Sequence, residues 1–250
     1  MANKSSSRRH FLKGAALAAA GITILPRHVL GGRGYVAPSD KVNVGIIGAG
    51  GRGRQNAASL FPLEDVQITA IADPSDYWDL KDFYYKSKAG RGPVKEMIEE
   101  HYRTKTPNYK VTEYTDFREM LAKEHGMDAV LCSTPDNTHA YVSILAMKAG
   151  KHTYCEKPLT HNIWEARKVA QVAKETGLAT QMGNGLHSGD GIRETVEMLR
   201  DGAIGKVTEA HTFVPATRWL PALKGLPQGT SPGEEKIGWD LWLGPTQYMP

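Results

Sequence analysis

Val42-Asn43-Val44-Gly45-Ile46-Ile47-Gly48-Ala49-Gly50-Gly51-Arg52-Gly53 decides the fold. The first six residues read as a buried β-strand. The glycines that follow form a G-x-G-x-x-G and lead into a helical stretch from Arg54 to Leu60. A second strand, Gln67 to Ala72, ends at Asp73, 20 residues past Gly53. Strand, glycine turn, helix, strand and terminal carboxylate is the order a dinucleotide site requires.

Each residue of that turn has a chemical reason. Gly48 permits the tight turn, and Gly50 lets the backbone approach a pyrophosphate. Gly53 allows close packing of helix on strand. The helix start, with Gly51 and Arg52, offers free N–H groups and a partial positive charge to phosphates. Asp73 accepts hydrogen bonds from ribose hydroxyls, and its charge repels a 2′-phosphate. The expected cofactor is therefore NAD rather than NADP; Arg52 is the residue that argues the other way.

Outward from this unit the pattern repeats. Lys110–Tyr114, Asp128–Ser133, His152–Cys155 and Leu178–Met182 read as strands. Phe117–His125, residues 138–149 and the stretch from Ile163 to Gly177 read as helices, the last capped by Thr160. The fold class is α/β, a Rossmann-type doubly wound parallel sheet with helices on both faces. Residues 77–108 interrupt it, rich in charge and aromatics, and read as an inserted helical excursion. Cys132 and Cys155 are the only cysteines and fall inside apolar strands, so they read as buried free thiols. No metal-ligand pattern is present in the sequence.

Charge narrows the partners. The net charge is +4 over 250 residues, yet residues 1–40 hold six Lys or Arg against Asp40 alone. The remainder carries 25 positive and 26 negative side chains, so no basic surface is left for nucleic acid. The leader reads Ser7-Arg8-Arg9-His10-Phe11-Leu12-Lys13, then a weakly apolar run from Gly14 to Leu25. That run is too short to span a bilayer as an ordinary helix. The paired arginines before Phe-Leu resemble a bacterial twin-arginine signal. Residues 1–40 are therefore expected to be signal and linker, with the twin-arginine export machinery as a partner. The expected location is periplasmic, with no stable membrane insertion.

Two further motifs carry a resemblance. They are Ser133-Thr134-Pro135-Asp136-Asn137-Thr138-His139 and Ala149-Gly150-Lys151-His152-Thr153-Tyr154-Cys155-Glu156-Lys157-Pro158-Leu159. Together with the glycine turn they resemble the Gfo/Idh/MocA family, over roughly residues 41–215. Gln181-Met182-Gly183-Asn184, Asp201 to Val207 and Trp239 to Pro245 are similar to it as well. The resemblance implies hydride transfer between a nicotinamide and a sugar or polyol secondary alcohol, the cofactor being retained. Related branches of the family are glycosidases that act by transient oxidation, and others only bind.

By the same resemblance Lys157 is the catalytic lysine, and the Lys157–Pro158 bond is expected to be cis. The physical case for Lys157 is its place at the carboxyl end of a central strand, where it would be partly buried and would pass a proton to and from a hydroxyl. Glu156 is expected to position the nicotinamide ribose. Thr134, Pro135, Asn137 and His139 are expected on the cofactor loop, and Asn184 at the nicotinamide end. Residues 41–184 then form the nucleotide-binding domain. Residues 185–250 begin an α+β open-sheet second domain, with a strand at Lys206–Phe213 and a Pro/Gly-rich loop after it. The family's second domain has several strands, so the chain reads as a C-terminal truncation, homo-oligomeric when full length.

Overall fold

The computed structural model describes residues 36–213 and 237–246. The chain divides into two units, Met1–Lys41 and Val42–Pro250. Of the first, the described part holds one turn of 3-10 helix, Pro38–Asp40. The twin-arginine reading and the loop after Phe213 lie largely outside the described residues.

The second unit is built on six parallel strands: β1 (Val42–Ile47), β2 (Val66–Ala72), β5 (Thr112–Tyr114), β6 (Ala129–Cys132), β7 (His152–Glu156) and β8 (Thr180–Gly183). Their spatial order is β5-β2-β1-β6-β7-β8. Two short antiparallel strands, β3 (Trp78–Asp79) and β4 (Lys88–Ala89), make a separate hairpin. With that hairpin set aside, the sheet has the doubly wound Rossmann order, with its switch point between β1 and β6.

Alternation along the strands sorts the core into two layers. Ile46, Ile68, Ile71 and Leu131 face helices α1 (Gly51–Leu60) and α2 (Arg91–Arg103). Ile47, Ala70, Val130 and Cys132 face α3 (Phe117–Lys123) and α4 (His139–Lys148). Strands covered on both faces must be apolar at successive positions, which is why β1, β2 and β6 read as continuous runs. Helix α5 (Ile163–Thr176) packs on α4 through Val169 and Val172.

Four expectations need correction. Helix α2 is not part of an insertion: Val94, Ile98 and Tyr102 are buried in the main core, so it is the regular crossover between β2 and β5. Only residues 77–90 are additional, and they form a hairpin rather than a helix. The cap of α5 is Asn162, whose Oδ1 accepts from Glu165 N at 3.0 Å. Thr160 instead donates to Asn162 O. Residues 206–213 form no strand; they are exposed, and no neighbouring strand among the described residues pairs with them.

Beyond β8, helix α6 (Asp190–Arg200) has no buried residue, and its stripe of Ile192, Val196 and Leu199 is exposed. Helix α7 (Trp239–Leu243) returns to the sheet's carboxyl edge, with Ile237 and Leu243 buried. Among the described residues no helix is long and apolar enough to cross a membrane.

Candidate functional site

A cavity of about 630 Å³ opens at the carboxyl ends of β1, β2 and β6, where the switch point puts it. Gly48, Gly50, Gly51, Arg52, Asp73, Thr134 and Pro135 line it, so the loops named from sequence do meet. Gly48 has φ of +90° and a Cβ there would lie 2.6 Å from the Ser133 carbonyl carbon. A Cβ on Gly53 would lie 1.9 Å from Gly48 O, so the helix rests directly on the turn. Gly50 is different: a Cβ there meets nothing within 4 Å, leaving open space at the helix start.

Asp73 sits at the end of β2 with both oxygens engaged. Oδ2 accepts from Ala49 N at 2.6 Å and Oδ1 from Ser75 N at 2.8 Å. Burial pushes its pKa up to about 6, against the lowering pull of the two amides and of Arg91. Each oxygen keeps a lone pair for a further donor. The Arg91 guanidinium donates to the Asp73 carbonyl, which fixes the strand end.

Arg52 departs from the expectation of a phosphate-holding arginine beside Asp73. Its Nη2 lies 2.9 Å from Glu156 Oε1 at the end of β7. Asn56 Nδ2 donates to the same oxygen at 2.9 Å and also reaches Ser133 Oγ at 3.0 Å. Glu156 is 3% exposed, so this is a buried carboxylate with a cation and an amide for partners. It does not line the cavity; it joins the first turn of α1 to β7. Arg52 Nε is buried and has no partner among the described residues.

His139 and Asn137 also have structural partners where cofactor contacts were expected. His139 is 1% exposed, with Nδ1 2.5 Å from Pro158 O and Nε2 2.9 Å from Thr134 O. It ties the loop after β6 to the loop after β7. Asn137 Nδ2 donates to Leu243 O at 2.9 Å and Thr246 Oγ1 at 3.2 Å, so it anchors the 237–246 segment. That segment places Ile237, Leu241 and Trp242 on the cavity wall. Its sequence separation of more than 100 residues from Asn137 hides this pairing from any local pattern.

Lys157 follows β7, and the Lys157–Pro158 peptide is cis, as expected. Lys157 is exposed rather than partly buried, because nothing among the described residues covers it. No hydrogen bond or ion pair to a described residue engages it. Asn184, just past β8, is exposed too. Cys132 and Cys155 are register partners on β6 and β7, both buried and both free. Their sulfurs and a ring nitrogen of His139 lie within 4.8 Å of one another. Both imidazole nitrogens are already held by carbonyls, which closes the ring to a cation in this arrangement.

The fold and the glycine turn define a nucleotide-binding Rossmann protein. Residues 94–184 match the model of the oxidoreductase family with an NAD-binding Rossmann fold, GFO_IDH_MocA. Over those residues the chain is similar to that family. A glycosyl hydrolase family 109 protein of Shewanella baltica is 28% identical over 228 residues, 85% of this chain and 47% of the relative. An alpha-N-acetylgalactosaminidase of Shewanella oneidensis is 27% identical over 230 residues, with the same shares. The chain thus spans about half the length of the curated relatives it matches. Among solved structures, myo-inositol 2-dehydrogenase from Lactobacillus plantarum is 25% identical with a TM-score of 0.51, over 67% of this chain and 43% of that one.

Proposed function

We propose that this chain binds NAD and contributes the nucleotide half of an oxidoreductase that moves hydride from a secondary alcohol of a sugar or polyol. The observation that carries this is the open cradle at Gly50, which lines one cavity with the Asp73 carboxylate. A bound nicotinamide would supply the hydride acceptor. The residues fit such a cofactor: the α1 amides beside the open space at Gly50 suit a pyrophosphate, and the spare lone pairs of Asp73 suit ribose hydroxyls.

NAD is favoured over NADP by two features. Asp73 repels a second phosphate on the ribose. The nearby guanidiniums are committed elsewhere, Arg52 to Glu156 and Arg91 to the Asp73 carbonyl. Lys157 then holds the substrate hydroxyl and takes its proton at Nζ as the carbon loses hydride. His139 sets the path of the Lys157 loop by gripping Pro158 O.

The names of the relatives favour a second reading, a glycosidase in which the sugar is oxidised only transiently. Both readings share NAD binding and the first hydride step. The basic leader further supports export in folded form, with the cofactor loaded beforehand and kept.

The test is calorimetric titration of the purified protein with NAD⁺, NADH and NADP⁺, followed by a polyol and sugar panel at 340 nm. Tighter binding of NAD(H) than NADP⁺ is expected. Absence of binding by any of the three overturns the proposal. Turnover of a nitrophenyl glycoside with no net NADH selects the glycosidase reading.

A further inference from the structure

The additional hairpin at residues 77–90 is fastened to the glycine turn rather than to the sheet. Gly90 N donates to Ala49 O at 2.8 Å, inside the turn itself. Arg91 N donates to Ser75 O at 3.0 Å, just past Asp73. The Tyr85 ring lies directly on Gly51, where a Cβ would come 2.1 Å from Tyr85 Cγ. Gly51 therefore has a reason to be glycine that phosphate binding alone does not supply.

From this anchorage the hairpin presents Trp78, Leu80, Phe83 and Tyr85 to the cavity. Trp78 and Phe83 remain 40% and 53% exposed among the described residues. Ile237, Leu241 and Trp242 line the same cavity from the C-terminal segment. Apolar walls supplied by two peripheral segments around a polar turn suit a ligand with both a charged and a flat apolar part.

We infer that the 77–90 hairpin is a clamp that holds a bound dinucleotide on the glycine turn and slows its release, with Tyr85 and Phe83 as the gripping residues. This rests on the nucleotide-binding reading above. It goes further by assigning cofactor retention to one segment. Aromatic contacts of this kind act chiefly on the dissociation rate.

The experiment is stopped-flow displacement of NADH fluorescence by excess NAD⁺, on the whole chain and on Phe83→Ala and Tyr85→Ala variants. Release about tenfold faster in the variants is expected, with little change in association. Energy transfer from Trp78 to bound NADH, measured in a Trp242→Phe background and lost when Trp78→Phe is added, reports the hairpin over the ligand independently of any activity. If Tyr85→Ala fails to fold, Phe83→Ala decides, because Phe83 is exposed and supports no core. If the parent protein binds NADH and the folded variants release it at the parental rate, the clamp is overturned. If the parent protein binds no NADH, the nucleotide reading falls first and the clamp with it.

Discussion

The Arg52 guanidinium and the Glu156 carboxylate meet at 2.9 Å, joining the helix that opens at the glycine turn to the end of the strand that precedes Lys157. Arg52 is 41% exposed on its side chain and Glu156 only 4%, so the carboxylate depends on this contact more than the cation does. A buried carboxylate is stabilised by a counter-charge and hydrogen-bond donors, and Arg52 and Asn56 provide them.

Arg52→Ala is expected to leave Glu156 without its counter-charge and to cost about 1–2 kcal/mol, a buried-pair penalty reduced for the exposure of Arg52. Urea unfolding of parent and variant measures this directly. Arg52→Ala combined with Glu156→Gln should recover part of the loss, because the orphaned charge is gone.

Asp73→Asn is expected to weaken NAD⁺ binding about 10–100-fold by converting charge-assisted bonds to the ribose into neutral ones. NADP⁺ binding should weaken less or improve, since the repelling charge is removed. Calorimetry with both nucleotides checks the crossover.

The raised pKa of Asp73, about 6, gives a pH dependence with a definite sign. The folded value lies above the unfolded 3.8, so the stability this group contributes is full below 3.8 and is lost as pH rises through about 6. Nucleotide affinity should run the other way, because the ionised carboxylate is the better acceptor. NADH titrations from acid to neutral pH should therefore tighten through about 6, and Asp73→Asn should flatten the curve.

His139→Ala is expected to cost about 2–4 kcal/mol, from a core void and a buried carbonyl left without its imidazole donor. Hydrogen exchange should quicken in both loops that His139 bridges, at the Thr134 and Leu159 amides. A melting shift with exchange unchanged at those two loops would contradict the bridging role.

Lys157→Ala should leave NADH affinity close to the parental value and lower any hydride transfer about 10²–10⁴-fold, the usual weight of a positioned proton carrier. Single-turnover absorbance at 340 nm, with a substrate found in the panel, separates the two effects. Loss of NADH binding instead would assign Lys157 to holding the cofactor.

Local pattern was enough to read the layered sheet, the glycine turn and Asp73, while the Lys157–Pro158 junction was read through the family resemblance. Each of the first three depends on neighbours within one strand–turn–helix unit, where apolar period and backbone geometry restrict the choice of residue. The end of α5 shows the same: Gly177 takes the left-handed conformation, φ +65°, that its place after the helix suggests.

The tertiary structure alone decided what the polar side chains at the carboxyl edge do. Arg52, His139 and Asn137 were read as cofactor contacts, and the structure gives them ties to Glu156, to Pro158 and Thr134, and to Leu243. The 77–90 segment looked like an interruption and turned out to wall the cavity. Such pairings span from five to over a hundred residues of chain, and a side chain's type records that it needs a partner without naming one. Which loops converge at the sheet's edge follows from the strand order, and only then does each donor have an acceptor to meet.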